Sequence, residues 1–145
     1  VHVHDGGLER VIGARLETQA FADGGDLQLG VGHCSAAGIA KTALEKIIDN
    51  PGLHKGIFLC GSGHGMNIVA DKYKGIRAVL CYNRYVAVQS RQHENANILI
   101  LAADWIKEKE AHDIVSDWLS AEFISEERHA RRLEKIEEIE ERNFI

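Results

Sequence analysis

The chain has 145 residues, 45% of them hydrophobic, which is enough for one domain with a packed core and too apolar for a disordered chain. A formal net charge of −5 excludes a broad nucleic-acid-binding surface, although a few focused cations can still hold a small phosphate. No apolar run approaches the roughly 18 residues of a membrane span, and no basic segment leads into an apolar one, so neither a membrane segment nor a secretory leader is expected.

Three cysteines, Cys34, Cys60 and Cys81, form an odd set without CxxC spacing. That argues against a disulfide framework or a zinc site and for the reduced thiols of a cytoplasmic protein. None of the eight histidines falls in a metal-ligand spacing such as HExxH. His2 and His4 alternate in an extended segment and read as two same-face side chains rather than ligands. No metal is expected.

Taken in order, residues 1–5 read as a short strand that Gly6 and Gly7 break. Over 8–22 the apolar positions 8, 11, 12, 16 and 20 follow a helical period and predict a helix. Residues 23–26, Asp-Gly-Gly-Asp, read as a turn, 27–29 as a short strand and 30–38 as a loop. A second helix is predicted over 39–48, ended by Asn50, Pro51 and Gly52. A strand over 56–60 empties into glycines at alternate positions 61, 63 and 65, and a short helix runs from Met66 until Gly75 breaks the segment. Then come a strand over 76–81, a helix over 84–94, an apolar run of buried-strand type over 97–102, and helices over 106–121 and 126–142.

This alternation predicts one α/β domain over 1–145, with a five-stranded parallel sheet, helices on both faces and an extra C-terminal helix. Ligands of such sheets bind at the C-terminal ends of the strands. The last helix carries only a narrow apolar seam, Leu133, Ile136 and Ile139, among many charges. It is expected to pack on a neighbouring subunit; the alternative is a solvated helix lying on its own domain.

The glycine loop is the place where chemistry concentrates. Alternate glycines let the backbone approach a ligand and point successive N–H groups at one spot. Met66 stands where GxGxxG needs its third glycine, and no Gly-Lys-Ser/Thr follows, so dinucleotide and P-loop readings fail. A cradle for an oxyanion or a sugar oxygen remains, against the plain alternative of a strand-to-helix turn. Cys60 stands at its mouth. A lone cysteine is more often a small buried hydrophobe. A thiol before a helix N-terminus, however, has its anion stabilised and can serve as base or nucleophile. Cys34 and Cys81 lack such a loop and read as structural. Two further segments stand out: residues 90–97, with His93 just ahead of an apolar strand, and Arg128-His129-Ala130-Arg131-Arg132. On a helix, Arg128 and Arg132 share a face one turn apart and suit a phosphate dianion, unless Glu134, Glu137 and Glu138 simply pair with them.

Together, the segments Cys60-Gly61-Ser62-Gly63-His64-Gly65-Met66, Lys72 to Cys81, Ser90-Arg91-Gln92-His93 with Ala96-Asn97, and Arg128-His129 with Arg131-Arg132 resemble the ribose-5-phosphate isomerase B family, which includes galactose-6-phosphate isomerase subunits. The resemblance is strong over 56–103, reasonable over 113–136 and poor over 1–50. It implies a Rossmann-like three-layer fold, a homodimer or homotetramer with sites at the subunit interface, and cofactor-free interconversion of aldose and ketose phosphates through an enediol. It further implies that Cys60 removes the proton beside the carbonyl, that Ser62 assists, and that His93 serves ring opening. Gly61, Gly63, His64 and Gly65 would hold the substrate's oxygens, Arg128 and Arg132 its phosphate, and Asp5 and Glu94 would stand at substrate-binding positions. Some relatives use a glutamate base at the position of Met66, so the chain resembles the cysteine-using group.

Four departures bear on the substrate. His4-Asp5-Gly6-Gly7 stands for Asp-His-Ala/Gly-Gly, and Cys34-Ser35-Ala36-Ala37-Gly38 for a segment with Asp-Tyr-Pro. Glu94 stands for an amide, and Ala102-Ala103-Asp104 for Gly-Ala-Arg. They leave open a different sugar, phosphorylated or not, and a non-catalytic sugar-phosphate-binding paralogue.

Overall fold

The computed structural model describes residues 18–23, 26–31, 44–45, 47–49 and 54–144. Among the described residues five strands form one sheet: β1 (Thr18–Asp23), β2 (Asp26–Val31), β3 (Lys55–Cys60), β4 (Ala78–Leu80) and β5 (Ile98–Ala102), in the spatial order β2-β1-β3-β5-β4. The helices are α1 (His64–Ala70), α2 (Arg84–Glu94), α3 (Glu108–Ser120) and α4 (Glu127–Asn143), with a further helical stretch at 44–45 and 47–49.

The protein is an α/β fold with a parallel sheet, but among the described strands only three are parallel. β3 and β4 both run parallel to β5, in register from Gly56↔Ile98 and Ala78↔Ile98. β1 runs antiparallel to both β2 and β3. The expected five-stranded parallel sheet is therefore corrected, and so is the end of the helix predicted over 8–22, because Thr18–Asp23 is strand. The physical reason lies in the link between β1 and β2. Register pairs Asp23 with Asp26, leaving two residues between the strands. Such a link closes an antiparallel pair, whereas a parallel pair needs a crossover of a dozen residues or more. The strand predicted over 1–5 and the rest of the helix over 8–22 lie outside the described residues.

The central strands explain why the sheet carries helices on both faces. Their side chains alternate, and both sets are apolar. Ile57, Leu59, Leu99 and Leu101 pack with Ala87 of α2 and with Ala111, Ile114, Val115 and Trp118 of α3. Phe58, Ile98 and Ile100 pack on the other side with Leu44, Ile47, and Met66 and Ala70 of α1. The spacing 111, 114, 115, 118 is one helical stripe, which is why α3 lies flat on the sheet. α2 begins where the Asn83 side chain accepts from the Val86 N–H at 2.8 Å, and it ends at Asn95 in the left-handed region, φ 47°. α4 is different: among its residues only His129 is buried, and Ile136 and Ile139 remain 38% and 50% exposed.

The lower edge of the sheet, where the parallel strands begin, is held by buried polar groups. The Asn97 side chain accepts from the Arg77 N–H at 2.8 Å and donates to the Gly75 carbonyl at 2.8 Å. Arg91 donates to the Ala96 carbonyl and to Asn95 Oδ1, and its guanidinium lies 5.5 Å from the Trp118 ring centroid. Burial, followed by the charge of Arg77, lowers the pKa of Arg91 from its ordinary value. Replacing Asn97 by Ala strands the Arg77 N–H and the Gly75 carbonyl together. A loss of roughly 2–4 kcal/mol is expected, read as a fall in melting temperature of about 5–12 °C. A fall under about 2 °C would show that water replaces both bonds.

Candidate functional site

The cysteine and its glycine loop stand at the upper edge, at the C-terminal end of β3. Ile57, Phe58 and Leu59 are buried, so the strand cannot slide, and Cys60 emerges half-buried at its end. The Gly63 N–H donates to Cys60 Sγ at 3.0 Å. A backbone N–H aimed at sulfur is the contact a thiolate needs. Gly63 sits at φ +77°, and a Cβ there would lie 2.4 Å from Leu80 Cδ1, so residue 63 must be glycine for conformation and for space.

Gly61 is required by its neighbour instead: a Cβ would meet Asp104 Oδ2 at 2.7 Å. Gly65 has neither constraint, with nothing within 4 Å of a Cβ. Two of the three glycines thus answer to the fold, and the third leaves the first turn of α1 open. Among the described residues the amides of Ser62, His64 and Gly65 have no acceptor within the chain. They are the orphan donors that open a helix. Ser62 is half-buried and its hydroxyl makes no hydrogen bond among the described residues.

The loop after β5 forms the second wall. The Ala103 N–H donates to the Cys60 carbonyl at 2.9 Å and the Asp104 N–H to the Gly61 carbonyl at 3.1 Å. Trp105, 59% exposed, meets the His64 ring edge-on with centroids 5.3 Å apart. Sequence reasoning did not single out Trp105. Its signal was an aromatic in a strand-to-helix loop, where burial does not account for it.

The remaining candidates gather at the lower edge. His93 closes α2, and its carbonyl accepts from His129 Nδ1 at 3.2 Å, with the two rings 4.2 Å apart. Arg128 Nε donates to His129 Nε2 at 3.0 Å, which fixes the tautomer with hydrogen on Nδ1, and Arg128 also pairs with Glu126 at 2.7 Å. Arg132 pairs with Glu94 at 3.3 Å. Both arginines therefore carry carboxylate partners within their own chain. Such exposed pairs are worth little and can be exchanged for a better anion.

Cys60, Gly61, Ser62, Gly63, His64 and Gly65 are thus brought together, as are His93, Glu94, Arg128 and Arg132. The chain does not bring the two sets to one another. β3 separates them, and six residues in extended conformation span about 16 Å. Asp5 and Cys34 lie outside the described residues. Met66 is buried beside Phe58 and Ile100 in the core under α1, so the side chain at this position does no chemistry.

The Ribose/Galactose Isomerase family pattern matches residues 12–136. The chain belongs to the Ribose/Galactose Isomerase family. It is 34% identical over 133 residues to a probable ribose-5-phosphate isomerase B of Mycoplasma genitalium, covering 89% of this chain and 85% of that one. It is 44% identical over 86 residues to a D-erythrulose-4-phosphate isomerase of Pectobacterium atrosepticum, covering 59% of this chain and 55% of the relative. The crystal structure of ribose-5-phosphate isomerase B from Mycoplasma genitalium with bound ribulose-5-phosphate superposes with a TM-score of 0.72 at 34% identity, over 76% of this chain and 72% of that one.

Within this family member the cysteines divide by environment. Cys81 is fully buried, and burial pushes its thiol up to about 11 against a smaller opposing effect of Ser90. Cys60 is half-buried at the loop mouth. Brief treatment of the folded protein with iodoacetamide near pH 8 is expected to label Cys60 at least tenfold faster than Cys81, read by peptide mass spectrometry. Equal labelling would show that the loop gives Cys60 no advantage in access or reactivity.

Proposed function

We propose that the chain is an aldose–ketose isomerase acting on a small sugar phosphate of the ribose 5-phosphate/ribulose 5-phosphate type. The observation that carries this reading is the 3.0 Å hydrogen bond from the Gly63 N–H to Cys60 Sγ, beside amides that have no acceptor. Names among the relatives, which include ribose-5-phosphate isomerase B and D-erythrulose-4-phosphate isomerase, agree with the reaction class.

The chemistry follows from the groups. Cys60 Sγ takes the proton from the carbon beside the substrate carbonyl, and the electron pair moves onto the carbonyl oxygen to give a cis-enediolate. The loop amides that have no acceptor, those of Ser62, His64 and Gly65 among them, would hold that oxygen, as oxyanion donors do. The proton of the adjacent hydroxyl then passes to that oxygen, with Ser62 assisting, and Cys60 returns its proton to the former carbonyl carbon as the new carbonyl forms. The reaction uses no metal and no organic cofactor. His93 opens the sugar ring, and Arg128 and Arg132 hold the phosphate. Because those three residues stand at the other edge of the sheet, the reading includes a homodimer or a dimer of dimers, in which one subunit's upper edge faces its partner's lower edge. The half-exposed Ile136 and Ile139 of α4 support a helix completed by a partner.

A second reading, a sugar-phosphate-binding paralogue without turnover, is favoured by one observation: Glu94 and Glu126 already occupy Arg132 and Arg128. Replacing Cys60 by Ala separates the two. On the isomerase reading, turnover of ribose 5-phosphate falls about 10²–10⁴-fold while the melting temperature stays within a few degrees. Equal turnover in the variant and the parent would sink the mechanism. Sugar-phosphate binding by the parent without turnover of any pentose, tetrose or hexose phosphate would favour the second reading.

A further inference from the structure

The loop after β5 is hydrogen-bonded to the cysteine loop through two main-chain contacts, Ala103 N–H to the Cys60 carbonyl and Asp104 N–H to the Gly61 carbonyl. This tie sets the Asp104 carboxylate over the α-carbon of Gly61. Oδ2 and Oδ1 would lie 2.7 and 3.9 Å from a Cβ on residue 61, so the carboxylate fills the space a side chain there would take. Asp104 is exposed, and among the described residues its carboxylate makes neither a hydrogen bond nor an ion pair. None of the described ion pairs includes Asp104. The two joined loops also carry the amides of Ser62, His64 and Gly65, which have no acceptor among the described residues, and the His64 and Trp105 rings, which touch edge-on.

Two opposite tendencies therefore meet within one loop's width. Amides without an acceptor stabilise a negative oxygen only within hydrogen-bond reach. A carboxylate without a partner acts over a longer range, about 8 Å at physiological ionic strength, and repels any anion within it. A phosphate monoester near pH 7 carries a charge of about −1.5 to −2, whereas sugar hydroxyls are neutral and donate to a carboxylate.

We propose that Asp104 is a specificity-determining residue that keeps a phosphoryl dianion off the β5 side of the Cys60 cradle and leaves that side to the hydroxyl-bearing carbons of the sugar. The phosphoryl group of a bound substrate then points away from β5. Sugar phosphates whose phosphate cannot reach past the reacting carbons bind least well. The inference deepens the isomerase reading and rests on it for the class of ligand.

The test is calorimetric binding of ribose 5-phosphate to the unmodified chain, to Asp104→Asn and to Asp104→Glu, at low and at high salt. Asp104→Asn removes the charge at nearly constant size. It is expected to bind roughly three- to tenfold more tightly at low salt, with the gap closing to under about twofold near 0.5 M salt, where charges are screened. Asp104→Glu keeps the charge and is expected to match the parent. Equal or weaker binding by Asp104→Asn overturns the proposal. So does an equal gain in Asp104→Glu, which would make the effect one of shape, and so does absence of binding to the parent and to Asp104→Asn alike. Turnover measured on the same samples keeps the two readings apart. A salt-sensitive gain in affinity without turnover in any sample fails the isomerase reading alone, and turnover with unshifted affinity fails this one alone.

Discussion

The parallel pairing of β3 with β5 is the constraint on which the rest depends. It holds register from Gly56↔Ile98 to Cys60↔Ala102, and each residue of the pair is buried on one face of the sheet or the other except the emerging Cys60. A slip of one residue would send Ile57 and Leu59 to the face that Phe58 occupies and would place Cys60 in the core. The same register delivers Ala103 and Asp104 to the carbonyls of Cys60 and Gly61. The position of the thiol, the need for glycine at 61 and the placing of a carboxylate beside the cradle are therefore one event seen at three residues.

A strand has two ends, and this one separates the candidate residues. The cradle lies at the end where β3 and β5 finish. His93, His129, Arg128 and Arg132 lie where β5 begins, held there by the His129 contact to the His93 carbonyl. Single-chain geometry thus makes two separate clusters, one rich in orphan N–H groups and one in guanidinium groups with weak carboxylate partners. On the proposed reading, association of two copies joins one cluster of each kind. It also covers the apolar seam of α4, which its own domain leaves half open.

Much of this was legible in the sequence where the signal is local. The strand ending at Cys60, the alternate glycines, the helix over 84–94 and the continuous apolar strand after it follow from residue type and period alone. The first sheet edge was not legible. Over 8–22 a helical period can be counted, yet Thr18–Asp23 pairs as strand, because pairing with β3 and a two-residue link to β2 outweigh a weak periodicity. Long-range contacts were equally hidden. Nothing near Gly61 announces that Asp104 will lie over it, and Asp104 read from sequence is only a departure from the family pattern. Arg91 reads as part of a functional segment, but its guanidinium is spent on the Ala96 carbonyl and on Trp118. His129 reads from sequence only as part of the segment from Arg128 to Arg132, whereas it is the buried residue that anchors α4.

On the proposed reading, one catalytic site needs Cys60 from one subunit and His93 from another. Co-refolding equal amounts of Cys60→Ala and His93→Ala subunits, each inactive alone, tests it most directly. Half of the dimers would be mixed, and each of those would contain one site with both residues intact, so about a quarter of the parent's turnover is expected to return. Mixed dimers present by native mass spectrometry with no return of turnover would contradict the account.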